Sequence, residues 1–274
     1  MILSKMLPMR IESRPAHHFH FVRFSVELII KQAENNAMPD IYKVMAKYYD
    51  EMYSWKDYEK ESQRVVEIVT EFKRSNGKTL LDVGCGTGGH IEYLRQHYDV
   101  VGADLSDDML EVARERFKDV QFFRRDMRKL DLEREFDVVT CLFGGIGHLT
   151  KEEDVVAAIE SFARHTTSGG VVIIEPFVTK ENVHPTTLGL MTLDRPDIKV
   201  ARVNASRMEG NILYLGFHFL IATDAGVEHF VDSSPMGIFP KTTFVKAMES
   251  SGLQVEYVEP GLMERTGLFV GVKE

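Results

Sequence analysis

Glycines at 84, 86, 88 and 89 follow Thr79-Leu80-Leu81-Asp82-Val83, so a short apolar strand ends in an acid and then turns sharply. Residues without Cβ let the backbone take positive φ and let a ligand approach the main chain. The spacing fits G-x-G-x-x-G at 84, 86 and 89, a pattern shared with dinucleotide sites. Asp82 tips the balance. A carboxylate two residues before the first glycine repels a pyrophosphate but attracts a ligand carrying an ammonium and a sulfonium. The loop therefore reads as a cradle for S-adenosylmethionine rather than for a dinucleotide.

Two later strand ends carry acids of the same kind. Asp99-Val100-Val101-Gly102-Ala103-Asp104 ends about twenty residues beyond the glycines, where a carboxylate accepts both ribose hydroxyls of an adenosine. A dinucleotide needs that acid too, so Asp104, with Leu105 beside it, does not choose between the two ligands. Farther on, Val120-Gln121-Phe122-Phe123 leads to Asp126 and Met127, an acid for the adenine amino group and a soft side chain to cover the ring. Three acids at successive strand ends, one αβ repeat apart, read together as one site. Cys141 and Leu142, at the next strand end, join the cofactor side.

These segments resemble the class I S-adenosylmethionine-dependent methyltransferases. LLDVGCGTGGH looks like their first motif, VVGADLSDDML their second, and RRDMRKLDLEREFDVVTCLFGGIGHL their third and fourth. The chain is also similar to one branch, the N,N-dimethyltransferases of nucleotide-linked amino sugars in desosamine and mycaminose biosynthesis. That likeness rests on YYDEMYSWKDYEKE at 48–61, EPF at 175–177, GVEHFVD at 226–232 and GLFVGV at 267–272, and covers about 42–274. It implies an α/β fold: a Rossmann-like seven-stranded methyltransferase sheet with helices on both faces and an inserted antiparallel β flap. The flap would build the acceptor pocket and often a homodimer contact. On this pattern the chain divides into an N-terminal extension (1–37), a cofactor-binding core (38–177), the flap (178–239), and a C-terminal helix and strands completing the sheet (240–274).

Composition narrows the acceptor. A chain of 274 residues can bury a full core, and a net charge of −9 argues against nucleic acid, whose phosphates need a basic surface. It argues also against an anionic membrane, and no apolar run approaches the length of a bilayer span. Cys85 and Cys141 make a poor disulfide framework and fit a reducing cytoplasm. The first 37 residues carry +2, which leaves −11 on the rest. Within them His17, His18 and His20 lack a cysteine or carboxylate at ligand spacing, so no metal is expected. An amphipathic helix over 21–32, or an upstream start extending a chain that begins near Met38, accounts for this segment.

The positioning elements alternate. Helices are expected at 41–55, 58–72, 89–97, 106–117 and 151–165, and strands at 79–83, 98–103, 119–123, 136–143 and 170–175. Near-continuous apolar strands such as Val138-Val139-Thr140-Cys141-Leu142-Phe143 suggest a parallel sheet covered on both faces. Such a sheet binds its ligand beyond the strands' carboxyl ends. Three long strands, 198–207, 211–222 and 227–233, form the flap, before a helix from Pro240 and strands at 254–259 and 267–272.

Methyl transfer is an in-line displacement, so the protein mainly aligns acceptor, methyl and sulfur, and an amine must be neutral to attack. A histidine near its natural pKa can take the proton, which makes His148, His218 and His229 the candidates. The resemblance matches His218 and His229 to histidines, but His148 stands where the branch carries tyrosine. Tyr49 and Tyr53, at i and i+4, could bond the cofactor carboxylate or orient the amine, and Tyr58 joins Tyr49 on the cofactor side; all three equally suit core packing. The resemblance matches Tyr53 to a tyrosine that points at the acceptor. It also sets Phe177 and the stretch 179–186, with Thr179, Asn182 and His184, against that small-molecule acceptor. An O-methyltransferase, a non-catalytic cofactor-binding module and a dinucleotide oxidoreductase are the competing readings.

Overall fold

The structure, a computed structural model, describes residues 46–184, 186–263 and 266–274; the extension 1–37 lies outside them. Eleven strands form two sheets among the described residues. The larger comprises β1 (Thr79–Val83), β2 (Asp99–Asp104), β3 (Gln121–Arg124), β4 (Phe136–Cys141), β5 (Thr166–Ile174), β10 (Leu253–Val258) and β11 (Leu268–Lys273), in the order β10-β11-β5-β4-β1-β2-β3. Every neighbour pair from β5 to β3 is parallel, while β11 runs antiparallel to both its neighbours. The strand order reverses between β1 and β4, which opens a crevice at their carboxyl ends.

Alternating side chains feed two cores. On one face Leu81, Val139 and Ile174 pack under α5 (Glu152–Arg164) and α6 (Lys241–Ser250) through Ile159, Phe162 and Phe244. On the other, Leu80, Val138 and Ile173 meet Val65 and Ile68 of α2 (Tyr58–Phe72), Ile91 of α3 (Ile91–Leu94) and Leu110 of α4 (Asp107–Arg116). Asp137 fastens the approach to β1: its carboxylate accepts from Ser75 Oγ, Gly77 N, Thr79 N and Thr79 Oγ1. Ser106 caps α4 through the Met109 N–H, as its position after a strand predicts.

The smaller sheet is the flap. β6 (Leu188–Asp194), β7 (Lys199–Glu209), β8 (Ile212–Thr223) and β9 (Gly226–Gly237) form an antiparallel meander between β5 and α6. It has four strands rather than the expected three. Val200 and Phe219 on its inner face pack with Ile198 and with Met52 of the N-terminal segment.

Two helices are shorter than expected. The part of 41–55 that is described is a 3-10 turn (Ala46–Tyr48) and one helical turn, α1 (Tyr49–Met52). The chain then bends, because Asp57 caps the next helix by accepting the Lys60 N–H. The helix expected at 89–97 is only α3, flanked by turns.

Candidate active site

The glycine loop closes on the two acids that flank it. Gly84, Gly86 and Gly88 all take positive φ, at 71°, 55° and 83°. Gly84 N–H donates to the Ala103 carbonyl at 2.7 Å, and Gly86 N–H donates to Asp104 Oδ2 at 2.8 Å. The other Asp104 oxygen accepts from Ser106 N–H at 2.8 Å, so backbone donors fix the carboxylate at the rim of β2. Burial raises its pKa against the pull of those N–H groups. Asp82, 2% exposed, accepts from the Thr140 hydroxyl at 2.8 Å, and burial pushes its pKa up to about 7.

The ends of β1, β3 and β4 converge at this loop. A Cβ added to Gly84 would stand 3.9 Å from both Gly145 Cα and Met127 Cε. Asp126 caps the 3-10 turn after β3, but both its oxygens also hold Arg128, which depresses its pKa. Leu105 is exposed at the rim, while Cys141 and Leu142 are buried behind the crevice. Arg124 ion-pairs with Asp107 at the surface. This loop, with its backbone turned by positive φ and flanked by two raised-pKa acids, suits a nucleoside bearing a cationic side chain.

Beyond β4 the chain makes a left-handed turn, Phe143 at φ 51° and Gly144 at φ 69°, into a 3-10 turn, Gly145–His148. A Cβ on Gly144 would meet Phe177 at 2.8 Å, so Phe177 seats this turn. Protein packed around His148 pushes its pKa down to about 4, although water reaches the ring. That departs from a histidine near its natural pKa. Tyr53 meets Phe143 edge-on at 5.4 Å between ring centroids, Tyr49 packs on Tyr53 at 4.7 Å, and Arg202 donates to the Tyr53 hydroxyl at 3.2 Å. Tyr58 lies back from the crevice, edge-on to His90, with burial raising its pKa.

His218 and His229 are not brought to the site. They are exposed, stack with each other, and share the outer face of the flap with Leu220 and Val203. Thr179 is buried and bonded to Asn182 Oδ1 in a local turn, and His184 is exposed.

Sequence reasoning missed the strap that carries Tyr53. Asp50 binds Thr87 and Arg116 of the core, Glu51 binds Arg195 of the flap, and Arg202 sits over the Tyr53 and Phe217 rings. Lys56, with no side-chain exposure, bonds both oxygens of Glu61 at 2.6 and 2.5 Å and stands 3.9 Å over the Phe143 ring. Glu61 also bonds His90 at 2.8 Å. The only local signal was the 48–61 segment, whose charges alternate with tyrosines.

A seven-stranded sheet with this strand order and one antiparallel strand, and a glycine loop between two acids, define a class I S-adenosylmethionine-dependent methyltransferase. Residues 80–170 match the methyltransferase domain family. The chain is 38% identical over 231 residues, 83% of its length and 97% of the relative's, to the dTDP-3-amino-3,4,6-trideoxy-alpha-D-glucopyranose N,N-dimethyltransferase of Streptomyces venezuelae. It superposes on the crystal structure of DesVI from Streptomyces venezuelae with TM-score 0.77 and 37% identity, covering 84% of this chain and 98% of that one. The SAM-bound amino pentose methyltransferase CalS10 of Micromonospora echinaspora gives 0.75 at 31% identity, covering 83% and 97%. The chain belongs to the amino-sugar N,N-dimethyltransferase family of these enzymes.

Proposed function

We propose that the protein methylates the amine nitrogen of a nucleotide-linked amino sugar, with the acceptor entering between Tyr53, the 143–148 turn and Phe177. The carrying observation is the meeting of Gly84, Met127 and Gly145 at one point, which sets the cofactor loop against the acceptor-side turn. The relatives' printed substrates, dTDP-linked amino sugars, supply the acceptor class. S-adenosylmethionine supplies an electrophilic methyl on sulfur. Asp104 would hold the ribose hydroxyls, Asp82 would face the ammonium, Leu105 and Met127 would flank the adenine with Asp126 at its amino edge, and Cys141 and Leu142 would back the site. Tyr49 closes the cofactor side. Tyr53, held by Arg202, orients the amine. His148, with its pKa lowered to about 4, is a weak base, so the amine arrives deprotonated or loses its proton to water. Phe143 and Phe177 keep water from the alignment.

The flap's outer face supports a homodimer. Leu188, Leu190 and Val227 are 81%, 72% and 71% exposed there, beside Val203 and Leu220, an apolar surface that a second copy would cover. No described helix is long and apolar enough to cross a membrane, and the reading places the enzyme in the cytoplasm. Incubation with methyl-labelled cofactor and dTDP-linked amino sugars, followed by mass spectrometry, tests the function. One or two labelled methyls on the sugar are expected, and label only on other metabolites refutes the acceptor class.

A further inference from the structure

We propose that Glu175 is a positioning residue, which holds the left-handed turn at Phe143–Gly144 by accepting the Phe143 N–H, and thereby aims Phe143 at Tyr53 and sets the 3-10 turn that carries His148. Glu175 is fully buried at the end of β5, and its Oε2 accepts from Phe143 N at 2.7 Å. A phenylalanine at φ 51° sits in a region that costs on the order of 1 kcal/mol or more, so something must over-determine it. Three contacts do so. They are the Glu175 carboxylate on its N–H, Lys56 over its ring face, and Tyr53 against its ring edge. Among the described residues the buried Oε1 of Glu175 has no hydrogen-bond partner, although the Met263 backbone is near enough to favour its charge. A buried acid with one idle oxygen is costly, which argues for a role that an apolar side chain could not fill.

The charged groups facing Glu175 set its ionisation. Burial pushes its pKa up to about 7, Lys56 and the Phe143 N–H pull it down, and Glu61 pushes it up. Glu61 is shared with His90, whose pKa burial lowers, so among the described residues Lys56 is the cation in this cluster. Ionised Glu175 grips the Phe143 N–H as a charge-assisted acceptor, and protonated Glu175 grips it less. The link to turnover rests on the reading that the acceptor meets the methyl group at this turn.

The test compares E175A and E175Q in the full chain. Amide exchange across 142–149, read by mass spectrometry, should quicken about tenfold or more in E175A and only about threefold in E175Q, whose amide oxygen still accepts but without the charge. With a dTDP-linked amino sugar, kcat should fall about 10- to 100-fold in E175A while cofactor affinity changes less than about threefold. E175Q should recover most of that loss. As a neutral acceptor like protonated Glu175, E175Q should sit about threefold below wild type at pH 8 and lack the comparable fall in kcat that wild type shows below about pH 7 beyond the amine's own titration, which both proteins share. Wild-type exchange in E175A, or a kcat loss that only tracks cofactor affinity, overturns the proposal. If the alanine variant fails to fold, an E175Q profile matching wild type overturns it. If wild type methylates no amino sugar, the acceptor reading fails and the exchange result alone decides this one.

Discussion

Replacing Asp82 by asparagine should strengthen the cofactor-free protein while weakening its hold on the cofactor. Asp82 is 2% exposed and accepts the Thr140 hydroxyl, a contact that an amide oxygen can keep. Burial, opposed by Thr140 and reinforced by Asp104, moves its pKa from 3.8 to about 7. The folded state thus binds this proton more tightly than the unfolded chain. That contribution to stability is full below 3.8 and fades as pH rises to about 7. At pH 8 the buried charge costs roughly 4 kcal/mol, an upper figure. A neutral asparagine removes it, so calorimetric unfolding at about pH 8 should rise by roughly 5–15 °C, with little change near pH 4. Binding moves the other way. A lost charge-assisted contact lowers cofactor affinity about 10- to 100-fold. Wild-type affinity should grow about tenfold between pH 6 and 8 as Asp82 ionises, and the variant's should stay flat. An asparagine variant that melts like wild type at pH 8, or binds with an unchanged pH slope, refutes the reasoning.

Asp104→Ala should abolish cofactor binding in titration calorimetry, a loss of about 100-fold or more, because it removes both the ribose acceptor and the group that holds Gly86 N–H. Lys56→Met strands Glu61 in the interior and should cost about 3–5 kcal/mol in denaturant unfolding. Asp137→Ala should destabilise the fold more near neutrality than in strong acid. Hydrogen bonds from Ser75 and Thr79 outweigh burial and depress the Asp137 pKa, so its contribution vanishes as pH falls below 3.8. In the homodimer proposed above, Leu190→Lys should shift light-scattering mass from dimer to monomer without loss of fold, since Leu190 is 72% exposed on the flap's outer face.

Local signals carried the cofactor side. The glycine run and the acids Asp82 and Asp104 are each a strand end followed by a turn, and the larger sheet positions them as their spacing suggests. The histidines of the flap were a different matter. Around His218 the sequence reads Gly216-Phe217-His218-Phe219-Leu220, apolar on both parities, so nothing local says which face turns inward. The register with β7 and β9 decides it and sends His218 outward beside Val203 and Val231. β6 was hidden because Leu188 and Leu190 alternate toward solvent instead of a core. Glu175, Lys56 and Arg202 act across chain separations that only the adjacency of β4, β5 and the flap reveals.

The flap enters the chain as one insertion between β5 and α6, leaving the strands that form the cofactor cradle uninterrupted. Such a layout lets an enzyme lineage change what it methylates by exchanging a plug-in module while its energy source stays fixed. The strap at 46–56 limits that freedom. Its Glu51, Met52 and Tyr53 are tailored to Arg195, Val200, Phe219 and Arg202 of this particular module. A transplanted flap would therefore need its matching strap, although the two segments lie far apart in sequence.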